Sequence, residues 1–256
     1  MTHPMLVGYL TIVRKETVRI FRIWTQTILP SVVTQSLYFI IFGGLIGSRL
    51  GEVGGTSYAA FLVPGLVMMS VITNAFTNTV SNFFFAKFLR SIEEILVSPM
   101  KPWVMLAGYV SGGVIRGVVV GAAVFVVSIA FVRPSVSHPF ALIFFLLVAC
   151  LIFSLLGFLN ALFAKKFDDI GIVPTFILTP LTYLGGVFYG IDALPPFWRT
   201  VSAFNPIVYM IDGFRYGFSG MSATSVVESA GILLAVAAAL VALNLVLLKR
   251  GIGLKN

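Results

Sequence analysis

The sequence predicts an all-α integral membrane fold of six transmembrane helices. An amphipathic interfacial helix precedes them, and two short re-entrant helices come before the last span. Three observations predict it. First, the 256 residues are 59% hydrophobic and only 10% charged, with a mean hydropathy of +1.04, whereas a soluble domain carries about 25% charged residues. Second, six runs with little or no charge lie near residues 28–47, 58–82, 104–132, 139–164, 171–190 and 229–248. Each approaches the roughly 20 apolar residues that a helix needs to cross a hydrocarbon core about 30 Å thick. Third, the basic residues segregate. With a cytoplasmic N-terminus, Arg14, Lys15, Arg19, Arg22, Lys87, Arg90, Lys101, Lys165, Lys166, Lys249, Arg250 and Lys255 fall on the cytoplasmic side. Arg49, Arg133, Arg199 and Arg215 fall outside, and Arg116 falls within a span. That excess is the positive-inside pattern and supports an even number of crossings. It also accounts for the net charge of +8 without a nucleic-acid partner. No run alternates with period two, which argues against a strand barrel.

The elements follow in order. In residues 1–26, Leu6, Tyr9, Leu10, Val13, Thr17, Ile20, Phe21 and Trp24 recur at three- and four-residue spacing, while Arg14, Lys15, Arg19 and Arg22 occupy other faces. Such a basic amphipathic helix lies among lipid headgroups, as an anchor or as a part of gating. The apolar run after it is too long for a signal peptide and lacks an A-x-A site, so it is expected to be retained. Residues 27–256 form the transmembrane domain. Pro30, Pro64, Pro174 and Pro180 do not argue against helices there, because neighbouring helices satisfy the freed carbonyls. The third run repeats glycine at four-residue spacing, Gly108/Gly112 and Gly113/Gly117/Gly121, which admits close helix approach and favours packing within the subunit over dimerisation. Arg116 among them either snorkels to the interface or faces protein or water. Cys150 stands alone, so no internal disulfide forms. Between the fifth and sixth runs, about 191–222, Pro195, Pro196 and Pro206 cut the chain into two short pieces bearing Trp198, Tyr209, Phe214 and Tyr216 as interfacial aromatics. Treating IVYMIDGFRYGF as a seventh span would put Lys249 and Arg250 outside and break the charge rule.

Catalytic chemistry is hard to assemble from these residues. His3 and His138 fall near opposite ends of the bilayer, and no H-E-x-x-H or cysteine cluster occurs. The adjacent pairs Glu93/Glu94 and Asp168/Asp169 read as solvated charge, since neighbours on a helix point about 100° apart. No G-x-x-x-x-G-K-[ST] loop is present, so the chain has no ATPase motif of its own. The spans also lack an evident Asp/Glu/His path for ions. If the protein moves something, energy enters from outside the chain. The 24 phenylalanines read more simply as bilayer-facing filler than as a cargo signature.

One stretch stands out: FAKFLRSIEEILVSPMKPW, Phe85 to Trp103, charged between two long apolar runs. Phe85, Phe88, Leu89, Ile92, Ile95 and Leu96 share a helical face, and Lys87, Arg90, Ser91, Glu93, Glu94 and Ser98 take the other. Ser91-Ile-Glu-Glu94 fits a capping box, which predicts a break near Ser91 and a new short helix over Ile92–Val97, ended by Pro99. Its apolar face needs a cleft, under the chain's own bundle or in a partner.

IEEILVSPMKPW, with FLVPGLVMMSVI before it and KKFDDIGIVPTFILTPLTYLGGVFYGIDALPPFW and FNPIVYMIDGFRYGF after it, resembles the ABC-2 family of exporter permeases, particularly its YadH-like inner-membrane branch. The resemblance covers essentially the whole chain, most weakly in the outer loops and last span, and says nothing of the substrate. It implies the permease subunit of an ATP-binding cassette exporter: a homodimer in the bacterial cytoplasmic (inner) membrane, both termini cytoplasmic, driven by separate ATPase subunits that bind ATP and Mg. This chain itself would hold no cofactor or metal and be no enzyme. The resemblance makes residues 91–99, with Ser91, Ile92, Glu93, Glu94, Ile95, Leu96 and Ser98, the coupling helix that meets the ATPase. It makes Leu194–Phe204 and Ile207–Phe218 the outer re-entrant helices, with Trp198, Tyr209, Asp212 and Arg215 as their gate. The rival readings are an ion- or proton-driven carrier or pore without an ATPase, and a lipid-directed membrane enzyme whose catalytic pair is not evident.

Overall fold

A computed structural model describes residues 3–53 and 55–254. Lys255 and the side chain of His3 lie outside the described residues. The fold is all-α apart from a small hairpin in which β1 (Glu52–Val53) pairs antiparallel with β2 (Thr56–Ser57). The helices are α1 (His3–Arg22), α2 (Trp24–Arg49, with a π-helical stretch at Phe39–Ile46), α3 (Tyr58–Phe88), α4 (Ser91–Val97), α5 (Pro102–Ser128) and α6 (Pro139–Phe163). They continue as α7 (167–183), α8 (Pro196–Ala203), α9 (Pro206–Ser219) and α10 (Val226–Lys249).

Among the described residues five helices, α2, α3, α5, α6 and α10, are long and apolar enough to cross a membrane. The expected fifth span at 171–190 is not among them. The helix there begins earlier, at Phe167, passes through a π-helical segment at Pro174–Leu178, and stops at Tyr183. Beyond Leu184 the backbone turns, with Gly186 at φ +81°, a conformation that a residue with a Cβ rarely adopts. Hydropathy alone does not register that stop, because Leu184 to Phe188 is as apolar as the helix before it.

α3 is the centre of the bundle: 78% of its most apolar stretch is buried inside the protein, against 11% for α2 and 22% for α10. Its Pro64 is accommodated without ending the helix. At about 1.5 Å per residue its 31 residues reach roughly 46 Å, well beyond the hydrocarbon core. Its C-terminal end lies with Lys87, Arg90, Lys101, Lys165, Lys166 and Lys249, and is called the basic end below. Phe76, Phe83 and Phe158 are fully buried along the α3/α6 seam, with Phe83 and Phe158 at 4.1 Å between ring centroids.

The glycines of α5 are close-approach points, and each sees this chain's own helices. A Cβ at Gly108 would lie 2.8 Å from Ile12, and one at Gly112 would lie 2.8 Å from Glu16, so this pair seats α1. A Cβ at Gly113 would meet Thr79 and Ser154, and one at Gly117 would lie 2.7 Å from Cys150, so this pair faces α3 and α6. The small-residue spacing thus serves packing within the subunit, as the sequence favoured.

Candidate functional site

The short helix α4 sits at the basic end, in the connection between α3 and α5. The chain turns at Leu89–Arg90, with Arg90 in the left-handed region at φ 56°, and α4 starts at Ser91. The expected capping box does not form. Ser91 is already the first helical residue, and its hydroxyl donates to the Ala86 carbonyl at 3.3 Å. Left-handed backbone at Arg90 does the reversing, so no side-chain cap is needed at Ser91. The helix ends at Val97, where Ser98 is extended before Pro99, and the Ser98 hydroxyl donates to the Ile95 carbonyl at 2.6 Å.

The apolar face of α4 is divided. Ile92 is 2% exposed and belongs to the bundle core, so at this residue the cleft lies under the chain's own bundle, and Ile95 is half-buried against the same core. Leu96 and Val97 are 46% and 88% exposed, on the side away from the bundle, and Glu93 and Glu94 are exposed beside them. One anchored residue and two outward apolar residues make a helix held from behind with a free front.

The brace behind α4 rests on a residue that pattern misassigned. Lys87 is 6% exposed, not on a solvated face, and its Nζ donates to the carbonyls of Ala161 (2.8 Å), Leu162 (2.8 Å) and Ala164 (3.3 Å). These are the unsatisfied carbonyls at the C-terminus of α6, where a cation also meets the negative end of the helix dipole. Phe167, the first residue of α7, packs its ring against Phe84, Phe85 and Phe88 at 5.1, 5.3 and 4.8 Å. Asp169 accepts from the backbone N–H groups of Lys165 and Lys166 at 2.8 and 2.9 Å, starting α7 close to this cluster. Lys87→Met keeps the length and removes the cation. A hydrogen bond from a charged group contributes about 1.5–3 kcal/mol. The expected result is a midpoint of thermal unfolding in detergent lower by several degrees, and Lys87→Arg should recover part of it.

Beside α4, α1 lies against the glycine face of α5 through Ile12, Glu16 and Ile20, which are 7%, 1% and 1% exposed. Of the stripe read from the sequence, Ile20 is fully inside and Tyr9 half-buried, whereas Leu6, Leu10, Phe21 and Trp24 face outward as an interfacial helix requires. Arg14, Lys15 and Arg22 are exposed, and Arg19 turns inward. Glu16 escaped the sequence reading because one acid on a basic helix carries no periodicity. It accepts from the Asn82 side chain, which in turn accepts from Arg19. Burial pushes the Glu16 carboxyl above the usual carboxylate range, against the opposing pull of Arg19 and Lys15. Arg116 is half-buried, with its Nε donating to Asn74 Oδ1 at 3.1 Å.

At the opposite end the two expected short helices are present as α8 and α9, bounded by Pro196–Ala203 and Pro206–Ser219. Asn205 starts α9 by accepting from the Ile207 N–H at 3.0 Å, and its amide donates to the Leu181 carbonyl at 2.7 Å, tying the pair to the end of α7. Asp212 and Arg215 both line a cavity of about 450 Å³ with Phe61, Ile191 and Phe218. Arg215 stacks over the Phe61 ring at 4.0 Å and donates to the Gly186 carbonyl at 3.0 Å. Asp212 holds the loop before α10, accepting from the N–H groups of Ala223 and Thr224 and from the hydroxyls of Ser222 and Thr224. Trp198 is 46% exposed and Tyr209 donates to the Ala203 carbonyl at 2.8 Å, so neither belongs to the cavity wall. Of the four residues that the sequence reading grouped, Asp212 and Arg215 line the cavity and Trp198 and Tyr209 do not.

Comparison with known proteins places the chain in a family. The family described as ABC-2 type transporter matches residues 8–219. The inner membrane transport permease YadH of Escherichia coli strain K12 is 53% identical over 256 residues, 100% of each chain. Nodulation protein J of Rhizobium leguminosarum bv. viciae is 26% identical over 211 residues, covering 81% of this chain and 80% of that protein. The match takes in α1, the braced helix α4 and the paired helices α8 and α9, leaving only α10 outside it, and on these grounds the chain belongs to the ABC-2 type transporter family.

Proposed function

We propose that the chain is the membrane subunit of an ATP-driven exporter in the bacterial inner membrane, with both termini cytoplasmic. One observation carries this reading: α4 is fixed to the bundle from behind while Leu96 and Val97, 46% and 88% exposed, point away from it at the end where the basic residues collect. Two exposed apolar side chains on a short water-facing helix are unfavourable alone and favourable in the groove of a partner. The partner is a separate ATPase, which holds ATP and Mg. This chain contributes the lever, α4 with Ser91, Glu93, Glu94, Ile95 and Ser98 around the apolar pair, and supplies no cofactor of its own. The E. coli relative is called an inner membrane transport permease, in keeping with the location.

In this reading α7, about 25 Å long, and the turns after it make the fifth of six crossings. α8 and α9 are the re-entrant outer gate, with Asp212 and Arg215 lining its cavity and Trp198 and Tyr209 outside it. The cargo path runs between two copies of the chain. The seam of one bundle is filled by Phe76, Phe83 and Phe158, all 0% exposed, and a core packed to that density leaves no lumen. Closure of the ATPase pushes α4, and Lys87 passes the motion directly to the end of α6.

The test has two parts. A P-loop ATPase should copurify with the protein in mild detergent, and Glu94→Arg should abolish transport while insertion is normal and ATP hydrolysis continues uncoupled. Transport that survives ATP depletion but collapses with the membrane potential would sink the reading in favour of an ion-driven carrier.

A further inference from the structure

We propose that a second cavity, at the basic end between α1, α3 and α5, binds a phosphate group, either the headgroup of an anionic phospholipid or a soluble phosphate. The cavity is about 210 Å³ and is lined by Arg19, Gln26, Asn78, Ser81, Asn82 and Arg116 among others. Its polar wall is rich in donors. Arg116 uses Nε on Asn74, and Arg19 uses one Nη on Asn82, so each guanidinium keeps further N–H groups for the cavity. Asn78 is 3% exposed and stands beside Glu16, and its Nδ2 makes no hydrogen bond of ordinary geometry. The one carboxylate that reaches this network, Glu16, accepts from Asn82 and forms no salt bridge with either arginine.

Two guanidinium groups from different helices line this cavity, and Glu16, drawn to Arg19 but ion-paired with neither, leaves a repulsion that a bound anion would relieve. Planar guanidinium forks match the oxygens of phosphate, and a tetrahedral group can be held from two directions at once where a carboxylate serves one fork best. An additional buried donor with no hydrogen bond of ordinary geometry points the same way.

The depth of the cavity fits a lipid phosphate. If Tyr58 begins α3 at one membrane face, roughly 20 residues of helix bring the chain to the other, which places Asn78 at the boundary and Ser81 and Asn82 at headgroup level. Side chains on a helix lean toward its N-terminus, so Arg116 on α5, which rises from the basic end at Pro102, leans back toward that same level. α1 lies across the opening and supplies Arg19. A phosphate here would add a charged link from the interfacial helix to α3 and α5, beside the contacts of Ile12, Glu16 and Ile20 and the hydrogen bonds of Tyr9 with Ser111 and Arg19 with Asn82. The inference does not depend on an ATPase docking on α4.

Thermal unfolding of the detergent-purified full chain, at constant ionic strength, tests it with two probes: inorganic phosphate and dioctanoyl-phosphatidylglycerol. A saturable rise in the unfolding midpoint with the lipid alone identifies a headgroup site, and a rise with both identifies a site open to soluble phosphate. Arg116→Gln should remove the rise. Glu16→Gln, which takes away the competing negative charge and keeps the acceptor for Asn82, should tighten the apparent affinity about threefold or more. The proposal is overturned if neither probe gives a saturable shift, or if Arg116→Gln responds as the unaltered protein does. Should Arg116→Gln fail to fold, an unchanged affinity in Glu16→Gln overturns it alone.

Discussion

Replacing Leu96 and Val97 together by aspartate is expected to abolish transport while leaving membrane insertion and thermal stability as they were. Both side chains face away from the bundle, so the folded protein loses nothing when they change. In the proposed complex with an ATPase the loss is large. An apolar side chain of this size contributes about 1.5–3 kcal/mol when fully buried, and two of them correspond to a weakening of roughly 100-fold or more at 1.4 kcal/mol per decade. Carboxylates pressed into an apolar groove add a desolvation cost. The measurement is a binding isotherm between the purified chain and the copurifying ATPase, together with transport in vesicles. Undiminished transport by the double variant would remove α4 from the mechanism. Ile92→Asp separates the two faces of the helix. Because Ile92 is 2% exposed in the core, that change should lower stability itself.

Gly157→Val is expected to prevent the bundle from closing. A Cβ at Gly157 would stand 2.5 Å from the Phe76 carbonyl oxygen and 3.3 Å from that residue's Cα and carbonyl carbon. Those are backbone atoms of α3, which cannot swing aside as a side chain can. Overpacking typically costs about 1–3 kcal/mol, and here it falls on the central seam, so a fall of about 5 °C or more in the unfolding midpoint, or loss of the monodisperse species, is the expected result. Gly171→Ala is the control. Nothing lies within 4 Å of a Cβ there, and α7 is helical at that point. Its midpoint should stay level or rise slightly, since alanine favours a helix by about 1 kcal/mol over glycine. Equal destabilisation by both variants would mean that the close approach at Gly157 is not what limits the fold.

The long helices were legible because crossing a bilayer imposes one simple requirement, a run of apolar residues, and α2, α3, α5, α6 and α10 announce themselves by it. α4 was legible as an amphipathic break. Its mechanism was not, since S-x-x-E is a local signal and the left-handed turn at Arg90 overrides it. Lys87 shows a different limit. Periodicity set it on the polar face with Arg90, Glu93 and Glu94, yet the three carbonyls that it satisfies belong to residues 161, 162 and 164, far along the chain. α7 fails for a third reason, since an apolar composition does not say where a helix stops, and the turn beginning at Leu184 is set by contacts with α8 and α9 such as that of Asn205 with Leu181.

What the sequence by itself determined is the membrane class, the position of the amphipathic break and the family, because each of these is written in composition or in contiguous motifs. Which face of each helix turns inward was left to the tertiary structure. Only there does the glycine ladder of α5 prove to seat α1 on one side and α3 and α6 on the other. Only there are Ile92 and Leu96, four residues apart, sent one to the core and one to solvent. The physical reason is that in an apolar membrane helix nearly every face is hydrophobic. Hydropathy cannot rank the faces, and close steric fit and a few buried polar partners decide among them.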